Sequence, residues 1–183
     1  MKAIKLLLVS FLVVCFSTTN VVASEKSDKN SVIDQTYPQA QAEVAETFMA
    51  IAGSIVAGAG HGYDGEFMDQ LISFHAYGDK FVEFNDGKSF DSAGNEANER
   101  TLFGEIVDPG GVQKFAATDL KVAVYFGNVA NLTFISDFEL IIGGELHPVK
   151  NLITLLFVKT KGEWKMVHEH HSPVSEDWTR PPE

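Results

Sequence analysis

Cysteine is almost absent. Cys15 is the only one in 183 residues, and it sits inside an N-terminal apolar run. Whatever folds beyond it has no disulfide, no thiolate nucleophile and no cysteine-based metal site. Basic residues are scarce as well, 14 Lys and Arg against 25 Asp and Glu. Residues 1–23 hold two of the basic residues and none of the acidic ones, so the remainder carries a net charge of −13. That charge repels phosphate backbones and anionic lipid, which argues against nucleic acid or a membrane surface as partner. No strand-turn-helix serine elbow, phosphate loop or dinucleotide fingerprint is present, so hydrolase, kinase and dehydrogenase readings lack support.

The one long apolar run, Leu6–Phe16, follows Lys2 and Lys5 and precedes Val21-Val22-Ala23 and Ser24. This is the layout of a cleavable secretory signal over residues 1–23. The run is too short to cross ~30 Å of hydrocarbon. Leu12-Val13-Val14-Cys15 is loosely lipobox-like, but Val14 stands where a small residue is expected. The expectation is a secreted or periplasmic protein of 160 residues, enough for one domain with its own core.

Residues 24–36 are polar and without periodicity, and read as a flexible lead. The domain proper is expected over 37–175, with an irregular tail over 176–183 that carries Pro181 and Pro182 before the final Glu183. Thr36 and Gln39 suggest a capping box opening a helix over Tyr37–Val56, in which Val44, Phe48, Ile51, Ala52 and Ile55 recur at helical spacing. A shorter helix is expected from Asp64 as N-cap to Gly78, with Phe67, Met68, Leu71, Ile72 and His75 on one face. Strands follow at Lys80–Asn85, Leu120–Phe126, Val129–Ile141, Asn151–Thr160 and Glu163–His171, with a short helix near Glu96–Phe103 and a tight turn at Lys161-Gly162. Helices first and consecutive antiparallel strands afterwards give an α+β class, helices packed on one face of a curved sheet.

The last hairpin, Gly162-Glu163-Trp164-Lys165-Met166-Val167-His168-Glu169-His170-His171-Ser172, resembles the closing strand of SnoaL-like domains in the nuclear transport factor 2-like superfamily. It is similar also to the end of the calcium/calmodulin-dependent kinase II association domain. Tyr77–Phe84 and Gly127–Ala130 agree with the same family, so the resemblance covers roughly 40–174. It implies a cone-shaped roll with a cavity at its open end and a homodimer, and by itself no particular chemistry. Relatives often carry an Arg-x-Thr in the penultimate strand. Thr154 fits, but Leu152 takes the arginine position, which disfavours an anionic substrate.

Strand alternation puts Trp164, Met166, His168 and His170 on one face, the more apolar one, which is therefore assigned to the cone interior. His170 and His168 become the first candidates for proton transfer, and Asp79 and Glu83 the second, as carboxylates of the kind an isomerase base requires. Tyr77, Tyr125, Trp164, Thr154 and Phe81 are candidates for ligand binding. His-x-His is also a metal-ligand spacing, with Glu83, Asp79 or His75 as a conceivable third ligand, but no second tight cluster supplies it, and neither metal nor cofactor is assigned. The reading is a small, largely apolar ligand with isomerase-, cyclase- or dehydratase-like acid–base chemistry. The alternative is a non-catalytic dimerisation module of the same fold.

Overall fold

The computed structural model describes residues 35–174. The signal segment, most of the polar lead and the tail lie outside the described residues. Helix α1, Pro38–Gly58, buries Val44, Phe48, Ile51, Ala52 and Ile55, the stripe read from the sequence. Its N-cap is Tyr37, with Pro38 in the first turn and no side-chain cap; the expected capping box does not form, because the N-cap falls one residue past Thr36, and the Gln39 amide donates to Glu43. Helix α2, Glu66–Ser73, starts from Gly65 rather than Asp64 and buries Met68 and Leu71.

After α2 come β1 (Val82–Asn85), β2 (Lys88–Phe90), α3 (Ser92–Glu99) and a π-helical segment, Arg100–Ile106. The four long strands are β3 (Val112–Tyr125), β4 (Val129–Ile142), β5 (Glu145–Thr160) and β6 (Glu163–Pro173). They form one six-stranded sheet in the order β2-β1-β6-β5-β4-β3. Every neighbouring pair is antiparallel except β1 with β6, which is parallel. This is the expected α+β class, with α1 laid across the sheet and Phe48 edge-on to Phe134 at 4.9 Å.

Three two-residue connections, Asp86-Gly87, Gly143-Gly144 and Lys161-Gly162, have both residues at positive φ. That backbone follows the right-handed twist of the flanking strands, so each makes a tight hairpin. The strands are longer than expected at two ends. The first half of β3 lacks apolar alternation, and Pro148 argues against a strand in the first part of β5. Pro148 is tolerated because it lies two residues from Lys150, whose carbonyl accepts from Val174 N, so its missing N–H faces away from β4.

Register shifts interrupt β3 twice and β6 once. In β6, Phe157 pairs with Met166 and Leu156 with His168, leaving Val167 as an extra residue. A bulge of this kind bends the strand and breaks the two-residue alternation.

Gly60 (φ +72) lies where α1 meets the π-helical segment, and a Cβ there would stand 2.2 Å from Pro109 N. Gly143 (φ +60) has the same handedness but open space around it. Gly143→Ala should cost about 1 kcal/mol through backbone strain alone. Gly60→Ala should cost at least about 2 kcal/mol more from the added backbone clash, as denaturant midpoints of the two variants would show.

Candidate functional site

The fold encloses a cavity of about 350 Å³ between its helices and the sheet. Phe48, Ile51 and Ile55 of α1, Phe115 of β3 and Phe134 and Phe138 of β4 give it an apolar body. Its titratable residues are His75, Glu99, His147, Glu169 and His171, and no Lys or Arg lines it. All but His147 belong to one wall, built from the end of α2, from α3 and from β6.

The bulge at Val167 puts Glu169 into that wall. Trp164 and Met166 face inward as alternation requires, but beyond Val167 the phase reverses: Glu169 is buried and His171 lines the cavity. The assignment of His168 and His170 to the interior is therefore corrected. His168 is half-buried, with Nδ1 donating to the Val82 carbonyl at 2.8 Å. His170 is exposed and shares a hydrogen bond of 2.9 Å with Ser172 Oγ. Both rings pack edge-on against the exposed Phe84.

His75 is fixed by the backbone on either side, since Met166 N donates to Phe74 O and Ala76 N to Met166 O. Its Nδ1 lies 3.1 Å from the Leu71 carbonyl and its Nε2 2.8 Å from Glu169 Oε1. Both ring nitrogens thus face acceptors, so the pair needs both ring protons, or one shared with the carboxylate. Burial disfavours the imidazolium, but the hydrogen bond and charge of Glu169 outweigh it and hold the His75 pKa above the ordinary histidine value. Burial likewise opposes ionisation of Glu169, and hydrogen bonds from His171 and His75 overcome it and keep the carboxyl well below the usual range. His171 Nε2, 3.3 Å from Glu169 Oε2, is also raised against the pull of burial.

Helix α3 supplies the rest of the wall. Asp91 caps it by accepting from Gly94 N at 2.9 Å. Asn95 and Glu99 then fall one turn apart on its buried face. The Asn95 amide donates to Glu83 at 2.8 Å and to Glu169 at 3.3 Å, and its carbonyl accepts from the Tyr77 hydroxyl. Glu99, 8% exposed, lines the cavity, and its carboxyl makes no hydrogen bond among the described residues. Burial, then the neighbouring Glu169 carboxylate, push its pKa up to about 8. The next residue, Arg100, is tied to Asp69, Glu96 and the Tyr63 carbonyl, which anchors the start of the π-helical segment that carries Leu102 and Phe103 into the lining.

The other candidates are scattered. Glu83 is fully buried behind the wall, held by Asn85 and Asn95. Tyr77 stacks on His75 at 4.9 Å, and Phe81 meets both rings edge-on. Asp79 is exposed. Tyr125 is half-buried at the far end of β3, outside the lining. Trp164 is in the core, its indole N–H donating to Glu43 at 3.0 Å. Thr154 and Leu152 alternate with the inward Ile153 and Leu155, so they lie on the outer face of β5 and position 152 could not have supplied a cavity arginine. Glu99, Glu169, His171 and Asn95 were missed. For Glu169 and His171 the signal would have been a bulge that strand periodicity does not announce; Asn95 and Glu99 lie on a mainly polar helix whose sequence marks no inward face.

The raised Glu99 pKa has a defined linkage sign. The fold favours its protonated form, so that contribution is fully present below the usual carboxylate pKa and is lost as pH rises to about 8. Between those limits wild-type stability should fall by at most about 1.4 kcal/mol per pH unit. Glu99→Gln cannot ionise, so thermal melts should find it close to wild type near pH 4.5 and more stable at pH 8–9. His75, also raised, leaves a residual alkaline loss in both proteins.

Comparison with known proteins agrees with this architecture. The sequence profile of the SnoaL-like domain matches residues 57–176. No curated protein sequence matches the chain. Among solved structures, an NTF2-like superfamily protein from Salmonella enterica superposes with a TM-score of 0.62 at 15% identity, over 77% of this chain and 95% of that one. A candidate dehydratase of the NTF2-like family from Streptomyces avermitilis gives 0.60 at 18% identity, covering 76% and 99%. A candidate calcium/calmodulin-dependent kinase II association domain from Xanthomonas campestris gives 0.57 at 17%, covering 84% and 99%. At these identities the superpositions speak to the fold, and with the profile match over most of the described residues they show that the chain belongs to the SnoaL-like domain family.

Proposed function

We propose that this is an exported SnoaL-like domain that takes up a small, largely apolar molecule in its cone and performs acid–base chemistry on it at the polar wall. One observation carries the reading: a cavity of about 350 Å³ whose titratable groups are gathered, apart from His147, on a single wall of an otherwise mainly apolar enclosure. Pockets that combine apolar bulk with a few convergent polar groups suit small organic ligands. Carboxyls pushed to opposite protonation states, as Glu99 and Glu169 are, form the usual pairing of an acid with a base. The dehydratase name of the Streptomyces relative is in keeping with such chemistry.

The test is saturable binding of N-phenylnaphthylamine, a neutral apolar fluorophore. One equivalent per chain should bind with enhanced, blue-shifted emission. Val149 lies on the rim and is partly exposed, so Val149→Trp should weaken binding at least about fivefold without unfolding the domain. Absence of saturable binding would overturn the pocket reading.

Export rests on the signal pattern of residues 1–23. Expressed in an exporting host, the protein recovered outside the cytoplasm should begin at Ser24 by N-terminal sequencing. Retention of Met1 or of the cytoplasmic location would refute it.

A further inference from the structure

We propose that Glu99 anchors the ligand by donating a hydrogen bond from its carboxyl, and that the ligand is a neutral molecule presenting a carbonyl-type acceptor oxygen on a hydrocarbon body. This deepens the pocket reading above and rests on it.

The wall is a closed hydrogen-bond network with one exception. His75, Glu83, Asn95, Glu169 and His171 satisfy one another or nearby backbone. Glu99 alone among these buried groups spends its carboxyl on no protein partner, although it is more than nine-tenths buried and opens onto the cavity. A polar group left in that position is satisfied by what enters the cavity.

The charge around it sets the ligand class. Every titratable group facing the site contributes: His75 from the end of α2, Glu83 from β1, Glu169 and His171 from β6, His147 from β5, and Tyr77 behind them. Both imidazoles of the wall are hydrogen-bonded to Glu169, so neither ring pairs with a second carboxylate. Burial first, and then the Glu169 carboxylate beside it, push the Glu99 pKa up to about 8, which favours the protonated carboxyl at neutral pH. A protonated carboxyl has one O–H to give, so its complement is a lone pair. A ligand carboxylate would meet neither Lys nor Arg in the lining. Away from the wall, Phe115, Phe134 and Phe138 offer only hydrocarbon contact.

Four probes of one shape test this: acetylnaphthalene, isopropenylnaphthalene, naphthoate and naphthylmethylammonium, measured by calorimetry on the wild type, Glu99→Leu and Glu99→Gln. At pH 6.5 the ketone should bind wild type about tenfold more tightly than the hydrocarbon, the yield of one buried hydrogen bond. Naphthoate should bind more weakly than the ketone. In Glu99→Leu the ketone preference should fall to within about twofold. In wild type it should fade above pH 8, and in Glu99→Gln, whose amide still donates, it should persist across that range. Equal binding of ketone and hydrocarbon by wild type, a preference that survives Glu99→Leu, or tightest binding of the ammonium would each overturn the anchor while leaving the pocket reading intact. Failure of all four probes together with the fluorophore would sink the pocket reading itself. Should Glu99→Leu not fold, the pH profiles of wild type and Glu99→Gln decide the matter.

Discussion

Between Met166 and His168, β6 carries one residue more than β5 can pair, and the polar wall depends on that mismatch. Upstream, the inward positions of β6 are occupied by Trp164 and Met166, which extend the core. Downstream they are occupied by Glu169 and His171. Without the reversal of phase at Val167, Glu169 would face outward, His75 would lose its carboxylate and Asn95 would lose one of its two acceptors.

A buried carboxylate is costly unless it is paired and hydrogen-bonded. Glu169 meets that condition with two imidazoles and an amide. Glu83 meets part of it with the amides of Asn85 and Asn95. Glu99 stays neutral instead. Three acidic residues thus share one small volume through three different arrangements, and Asn95, bridging two of them while accepting from Tyr77, ties the arrangements together. Helix α3 is mainly polar, and its buried face is the one that carries Asn95 and Glu99.

Much of the scaffold was legible in the sequence because it follows simple periodicities. The apolar stripe of α1 is buried as read, and the order of helices then strands gave the right class. The site was less legible, for one physical reason. Period-two alternation through Trp164, Met166, His168 and His170 is a sound rule for an uninterrupted strand, and the register with β5 that creates the bulge is a property of the partner strand. Likewise, nothing local in Asn95 and Glu99 marks them as inward, since the acceptors and charges they meet come from β1 and β6. Glu83 was named among the candidates, yet its place behind the wall follows from the parallel pairing of β1 with β6.

That parallel pairing has a consequence for how the molecule assembles. Strands β3 to β6 are joined in sequence by short turns, and each can zip from its own hairpin at little loop-closure cost. The contact of His168 with Val82 spans 86 residues, and that of Glu169 with His75 spans 94. Docking of β1 and of the end of α2 onto β6 closes loops far longer than the hairpin turns, so contact order places it after the meander. Until then Glu169 has no His75, and the curved sheet exists as a surface with one side still open. The chemistry of the wall therefore waits on tertiary docking: residues distant in sequence have to find β6 before any of them has the protonation state it will work with.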